Sequence, residues 1–322
     1  SILHHRLHLV ERVARIGCRV PIVMPVVNRS LVAPWSLWCD HSDTMAERDT
    51  GWLQFYCATV QEILDLQLCA YRIAEHEEVM TPAMVCFDGF YLSHSMQRVD
   101  TPSDEEAWDF VKPYVRKNMY LDTKDVMFIN DLCPTVEHTE MKYQQKVGFE
   151  KAAVVAKEVF AEYEQRFGRK LHTVESYRLE DAEVAVVTIG SMSGTGKYVV
   201  NQLREQGIKA GLLRICMFRP FPAEEVREAL KNVRVIGVMD RSCGLGAAQG
   251  PVCSEVKAAL YGCDGKIFDF IGGIAGRDIS DGSFRKIFGE LLDVLNGKTD
   301  SVNTWYDVNP NAMDLREVEM PC

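Results

Sequence analysis

The chain has 322 residues, 47% of them hydrophobic and 25% charged, an ordinary globular balance with room for two domains. A net charge of −10, with the basic residues scattered among acids, argues against a nucleic-acid partner; no apolar run is long enough to cross a bilayer and the first residues form no signal peptide, so no membrane partner and a cytoplasmic address are expected. The eleven cysteines run from Cys18 to Cys322 in a chain able to bury its own core, and without a Cys-x-x-Cys pair they read as reduced, mostly buried thiols, not as a disulfide framework or a cluster-binding set.

In chain order, Leu3, Leu7, Val10 and Val13 recur at helical spacing and predict an amphipathic helix over 2–16, which Gly17 ends. The apolar run from Val20 to Val27 predicts a buried strand that delivers Asn28 and Arg29 to a rim, and an acid and histidine knot, Asp40-His41-Ser42-Asp43, follows a short aromatic loop. Val60, Ile63, Leu64, Leu68 and Tyr71 predict a second helix, and Val79 to Phe87 a second buried strand despite Pro82. Residues 98–136 carry Pro102, Pro113 and Pro134, many acids and no sustained periodicity. They predict an extended arm lying on another surface, with Trp108, Phe110, Tyr114, Met119 and Tyr120 as anchors. A long helix is expected from about His138 to Arg166, then a linker over 168–182. Beyond it strands at 183–189, 208–215, 233–239 and 266–271 alternate with helices at 197–206, 223–231, 252–261 and 283–296, the pattern of a parallel sheet with right-handed crossovers.

Taken alone, an arginine after a strand is most often a surface ion pair. Asp40, His41 and Asp43 could serve as acid–base groups or bind a metal, but the metal reading lacks a further cluster of His or Cys at suitable intervals, and their ordinary reading is a loop whose carboxylates cap the helix near Ala46 and bond to Arg48. The run Gly190 to Lys197 is one residue too long for a nucleotide phosphate loop and has Tyr198 where a hydroxyl would hold magnesium, so it reads as a tight strand-to-helix turn. Gly244, Gly246 and Gly250 miss the dinucleotide spacing. His94, His138 and His172 read as structural, and Met192 and Met217 as packing residues.

Residues 26–52, with Asp-Gly-Phe at 88–90 and Phe-Arg-Pro-Phe-Pro at 218–222 in the same order, resemble the alpha subunit of the 2-oxoacid:ferredoxin oxidoreductases, of the pyruvate synthase type, over essentially the whole chain. The resemblance implies an α/β fold of two transketolase-like doubly wound domains. A pyrimidine-binding-type thiamine diphosphate domain, incomplete at its start, is expected over 1–167, a linker over 168–182, a transketolase carboxyl-terminal-like domain over 183–300 and a tail over 301–322. It also implies reversible oxidative decarboxylation of pyruvate to acetyl-CoA and carbon dioxide with electrons passed to ferredoxin. The alternatives are a related enzyme for 2-ketoisovalerate, 2-oxoglutarate or oxalate, and an inert scaffold subunit.

Implied cofactors are thiamine diphosphate with magnesium shared with a beta subunit, [4Fe-4S] clusters on partner subunits, and coenzyme A as co-substrate. The implied partners are beta-, gamma- and delta-type subunits, ferredoxin and the 2-oxoacid, so the chain alone is expected to be inactive. Family members begin with a further stretch that holds the glutamate activating the cofactor, and that glutamate is expected upstream of Ser1. The resemblance therefore places no catalytic residue in this chain, which reads as lacking that stretch, and no metal ligand. The family arginine matching Arg29 holds the substrate carboxylate, so Arg29 and Asn28 are the expected substrate-binding residues. Asp40, His41 and Asp43 border the cofactor cleft behind them. Leu31, Val32, Ala33 and Pro34 add apolar contacts and no second cation, which favours pyruvate over a dicarboxylate.

Overall fold

The computed structural model describes residues 19–31, 34, 36–115, 123–124, 135–306 and 308–309. Ser1, upstream of which the activating glutamate is expected, lies outside the described residues. So do the helix expected over 2–16, Val32, Ala33, Met119 and Tyr120, and most of the tail. The first half runs β1 (Val23–Asn28), α1 (Ser42–Ala46), β2 (Leu53–Tyr56), α2 (Val60–Ala74), β3 (Ala83–Asp88), α3 (Asp104–Val111) and α4 (Thr135–Phe167). The second half runs β4 (Val174–Tyr177), β5 (Val184–Ile189), α5 (Met192–Glu205), β6 (Ala210–Ile215), β7 (Met217–Arg219), α6 (Ala223–Leu230), β8 (Val235–Asp240), α7 (Pro251–Ala259), β9 (Lys266–Ile271) and α8 (Asp281–Leu295). Among the described residues no helix is long and apolar enough to cross a membrane.

The strands form two sheets, β1-β3-β2-β7 and β4-β6-β5-β8-β9. β1, β3 and β2 are parallel, as are β6, β5, β8 and β9; β7 and β4 are antiparallel additions at one edge of each. Successive strand residues point to opposite faces. On β3, Ala83, Val85 and Phe87 accordingly pack with α2 and α4, while Met84 and Cys86 join the core of the second domain. β2 divides in the same way, Leu53 and Phe55 against Tyr56. Asn28 and Asp88, opposite one another in the β1–β3 register, continue the series that faces the second domain.

Local chemistry fixes the helix ends. Thr59 caps α2 by accepting from Glu62 N, and Leu66, Cys69 and Ile73 recur on its buried face. α4, about 50 Å long by helix rise, stops where Gly168 turns to a positive φ of 68°.

Several expectations are corrected. The strand expected to be buried at 20–27 is a half-buried edge strand, because β3 flanks β1 on one side only among the described residues. Within the supposed extended arm, Ser103 and Glu106 form a capping box that starts α3, and Phe110 from that helix is fully buried against Tyr163 and Phe167 of this same chain. Trp108, an expected anchor, is 70% exposed. The linker 168–182 is also part of the second sheet, through β4 pairing with β6. And β7, from the second half, completes the first sheet by pairing with β2.

The core of the second domain extends into the first half, since Met45, Trp52 and Tyr56 pack with it. An ion-pair junction reinforces it: Arg214, on β6, places Nη1 and Nη2 at 2.7 and 2.8 Å from the two oxygens of Glu62, and its Nε 2.9 Å from Glu175 Oε2.

Candidate functional site

In the second sheet, strand order reverses between β5 and β8, so their carboxyl ends open a crevice of the kind where doubly wound sheets bind ligands. Gly190 and Ser191 follow β5 and Arg241 follows β8. The carboxylate of Asp88, at the end of β3, enters this crevice. It accepts from Ser191 N at 3.0 Å, from Ser191 Oγ, and from Arg241 Nη1 at 3.0 Å, while His41 Nε2–H donates to its other oxygen at 2.7 Å. Burial works against the charge of Asp88, yet His41, Arg241 and the Ser191 bonds hold its carboxyl well below the usual range. Gly190 adopts φ +73°, and a Cβ there would stand 3.1 Å from an Asp88 oxygen, so glycine permits the approach.

The acid and histidine knot is organised from within. Asp40 accepts from Ser42 N at 2.9 Å, from Ser30 Oγ, and from Ala275 N of the second domain at 3.2 Å. Asp43 accepts from Asn28 Nδ2 at 2.9 Å, Arg29 N at 2.8 Å and Thr44 N at 2.7 Å. Burial raises the Asp43 carboxyl to about 6 against these bonds. The expected bond to Arg48 is absent; that guanidinium goes to Met45 O and Asp49. His41 stands at the start of α1 but gives no side-chain cap, because its ring turns inward to Asp88.

Arg29 and Asn28, adjacent in sequence, part company. Asn28 is fully buried, with Nδ2 donating to Asp43 and to Thr44 Oγ1 at 2.8 Å. Its Oδ1 is a buried acceptor with no hydrogen-bond partner among the described residues. Arg29 reaches the rim instead. Its Nη1 donates to Leu37 O at 2.6 Å, and its guanidinium lies 4.5 Å above the ring of Phe90. Phe90 is itself packed by Trp38 at 4.2 Å and His94 at 4.4 Å, which gives His94 a place beside the site. Asp43 meets Arg29 at its backbone N, and among the described residues no carboxylate forms a salt bridge with the Arg29 guanidinium.

Cys39, His41 and Asp88 come close enough to suggest a metal site. The chemistry goes the other way: burial first, and then the Asp88 charge, push the Cys39 thiol far above its usual range, and the Arg241 cation already occupies Asp88. Nor do these residues suit a magnesium diphosphate, which needs unshared carboxylate oxygens, whereas these carboxylates are saturated by internal donors. What fits is the organic end of a cofactor, at the orphan Asn28 Oδ1, and an organic anion at Arg29.

Asp88, Ser191 and Arg241 were not identified from sequence as site residues. The available signal was a lone acid closing the apolar strand Ala-Met-Val-Cys-Phe-Asp, and Asp240-Arg241 closing another; the pairing between them joins residues far apart in the chain.

Two α/β layers meet at their carboxyl edges, with Arg29 at the rim of the junction, and define an α/β subunit whose candidate site lies at that contact. Residues 11–161 match the family model described as pyruvate flavodoxin/ferredoxin oxidoreductase, thiamine diphosphate-binding, and residues 182–283 match pyruvate:ferredoxin oxidoreductase core domain II. The pyruvate synthase subunit PorA of Pyrococcus horikoshii is 40% identical over 307 residues, covering 95% of this chain and 73% of that protein. PorA of Thermotoga maritima is 43% identical over 281 residues, 87% of this chain and 71% of the relative. The alpha subunit of NADH-dependent phenylglyoxylate dehydrogenase from Aromatoleum evansii is 39% identical over 291 residues, 87% and 70% of the two chains. The fold is shared with a solved 2-oxoglutarate:ferredoxin oxidoreductase from Magnetococcus marinus, with a TM-score of 0.57 at 13% identity over 86% of this chain and 50% of that one. The chain belongs to the pyruvate:ferredoxin oxidoreductase family and carries its thiamine diphosphate-binding domain.

Proposed function

We propose that this chain is the alpha-type subunit of a pyruvate synthase, acting with beta-, gamma- and delta-type partners in the reversible conversion of pyruvate and coenzyme A to acetyl-CoA and carbon dioxide, with electrons delivered to ferredoxin. The observation that carries the reading is Arg29: a cation at the carboxyl end of β1, braced by Leu37 O and Phe90, with no carboxylate of its own among the described residues. The relatives named for pyruvate and phenylglyoxylate, and the solved structure named for 2-oxoglutarate, differ in side group but share a carboxylate beside a ketone. A guanidinium holds that carboxylate with two parallel bonds and so orients the ketone. Trp38, packed on Phe90, adds an apolar wall, which supports a substrate with a small apolar group.

Thiamine diphosphate, when bound, would supply a nucleophile for the ketone and an electron sink for decarboxylation. On this chain Asn28 Oδ1 would accept from its amino group. Its diphosphate and magnesium are assigned to the beta-type subunit, because the acids described here are already bonded internally. The clusters are likewise assigned to partner subunits. Buried Cys39, Cys57, Cys69, Cys86, Cys216 and Cys253 favour that division.

Arg29→Ala in the assembled enzyme is expected to raise the KM for pyruvate roughly ten- to a hundredfold, the worth of a charge-assisted bond. Thiamine diphosphate affinity should stay unchanged. An unaltered pyruvate KM would remove Arg29 from the site.

A further inference from the structure

We infer that the turn Asp88-Gly89-Phe90 is the seat that aims Arg29, and that the second domain governs the seat by gripping Asp88. The inference rests on the reading of Arg29 as the carboxylate-binding residue. Because Asn28 and Asp88 are opposite in register, Arg29 and Gly89 leave their strands side by side. A Cβ on Gly89 would stand 2.5 Å from Arg29 Nη1 and 2.5 Å from Asn28 O, so the guanidinium lies where any other residue would put its side chain.

The next residue supplies the platform. Phe90 has φ +63°, a conformation that costs a bulky residue free energy and persists only where its surroundings enforce it. The enforcement comes from both ends of the turn. Asp88 is held by Ser191 and Arg241 of the second domain as well as by His41. Beyond Phe90, the Tyr91 hydroxyl donates to Gly276 O at 2.9 Å, and the Arg241 guanidinium lies 4.8 Å over the Tyr91 ring. Arg241 therefore grips the turn on two sides.

This arrangement also leaves the Arg29 guanidinium without a carboxylate partner among the described residues. Asp88 is the carboxylate nearest in sequence to the platform, and its oxygens are bonded to Ser191 and Arg241 of the second domain and to His41. Asp88, Ser191, Tyr91 and Phe90 are positioning residues: they act on the substrate through Arg29.

The test uses the assembled enzyme and measures KM for pyruvate, KM for coenzyme A, kcat and melting temperature. Phe90→Leu, Tyr91→Phe and Ser191→Ala are the mild variants, with Asp88→Asn as the strong one. Phe90→Leu is expected to raise the pyruvate KM roughly three- to thirtyfold, the range of a cation–π contact, with the coenzyme A KM within about twofold of wild type. Tyr91→Phe and Ser191→Ala should move the same constant in the same direction by smaller factors. In an Arg29→Ala background none of these changes should raise the pyruvate KM further, since the group they aim is gone.

Equal fold-changes with and without Arg29 would overturn the inference while leaving Arg29 in its place. So would variants whose only effect is a lower melting temperature. If Arg29→Ala itself leaves the pyruvate KM unchanged, the underlying assignment fails first, and the single variant separates that outcome from the other two.

Discussion

Phe110→Ala tests whether the segment after residue 98 belongs to its own subunit. The ring is fully buried, meets Tyr163 at 5.3 Å and Phe167 at 5.7 Å edge-on, and lies under the Arg72 guanidinium at 5.1 Å. Phe110 is also the one buried residue of α3. An eight-residue helix has no independent stability, so α3 depends on this contact, with polar support from Arg166 to Asp109 and from Arg72 to Phe110 O.

Truncating a buried phenylalanine to alanine costs about 3–5 kcal/mol. At 1.4 kcal/mol per decade, local opening of α3 should become about a hundred- to several-thousandfold more frequent. Hydrogen exchange on the isolated chain reads this directly: protection of the amides of 107–112 should fall by that factor, while the β5 and β8 amides keep theirs. Trp108→Ala, at the exposed neighbour, should change exchange by less than about threefold, as surface substitutions do. If Trp108→Ala loosens α3 as much as Phe110→Ala, or if neither matters until partner subunits are added, the intrachain packing argument is wrong.

Other outcomes follow from the junction and the knot. Arg214→Met leaves Glu62 and Glu175 facing each other across the domain contact and should destabilise the chain by about 3 kcal/mol in denaturant unfolding; adding Glu62→Gln should recover part of that, and a loss for the single variant below about 1 kcal/mol would show that the junction is incidental. For Asp43, the folded carboxyl at about 6 lies above its ordinary 3.8, so the folded state holds the proton more tightly and stability falls as pH rises from about 4 to about 7. The difference in unfolding free energy between wild type and Asp43→Asn should therefore shrink by roughly 3 kcal/mol over that interval, and parallel pH profiles would contradict the assignment.

Long, strongly periodic elements are legible in the sequence itself: α2, α4 and the four parallel strands of the second sheet lie within a few residues of their expected positions. The short strands β4 and β2 are not. β2 is Leu-Gln-Phe-Tyr, with Gln54 buried and donating to Thr44 O, and β4 is Val-Glu-Ser-Tyr, with Glu175 facing Arg214. In both, a polar residue satisfied by a distant partner breaks the apolar pattern that marks a strand. α3 is hidden because only Phe110 is buried, so no stripe repeats, although Ser103 and Glu106 spell its cap. At the site, Arg29 stands out through its sequence context. Asn28 is expected beside it because residue-by-residue reading does not tell that Asp43 and Thr44 turn the amide inward. Asp88 meets His41 and Arg241 only through the fold.

The pairing of β7 with β2 sets a timetable for the chain's manufacture. When Tyr56 leaves the ribosome, β2 has no neighbour on its far side, and none arrives until Met217 and Phe218 have been made. At about 5–20 residues per second, that edge stays open for roughly ten to thirty seconds. An open strand edge invites the same edge of another nascent copy. A version cut within 168–182 would keep that edge open for its whole life, so the boundary that separates the two sheets is not a place where the polypeptide can be divided into two well-behaved pieces.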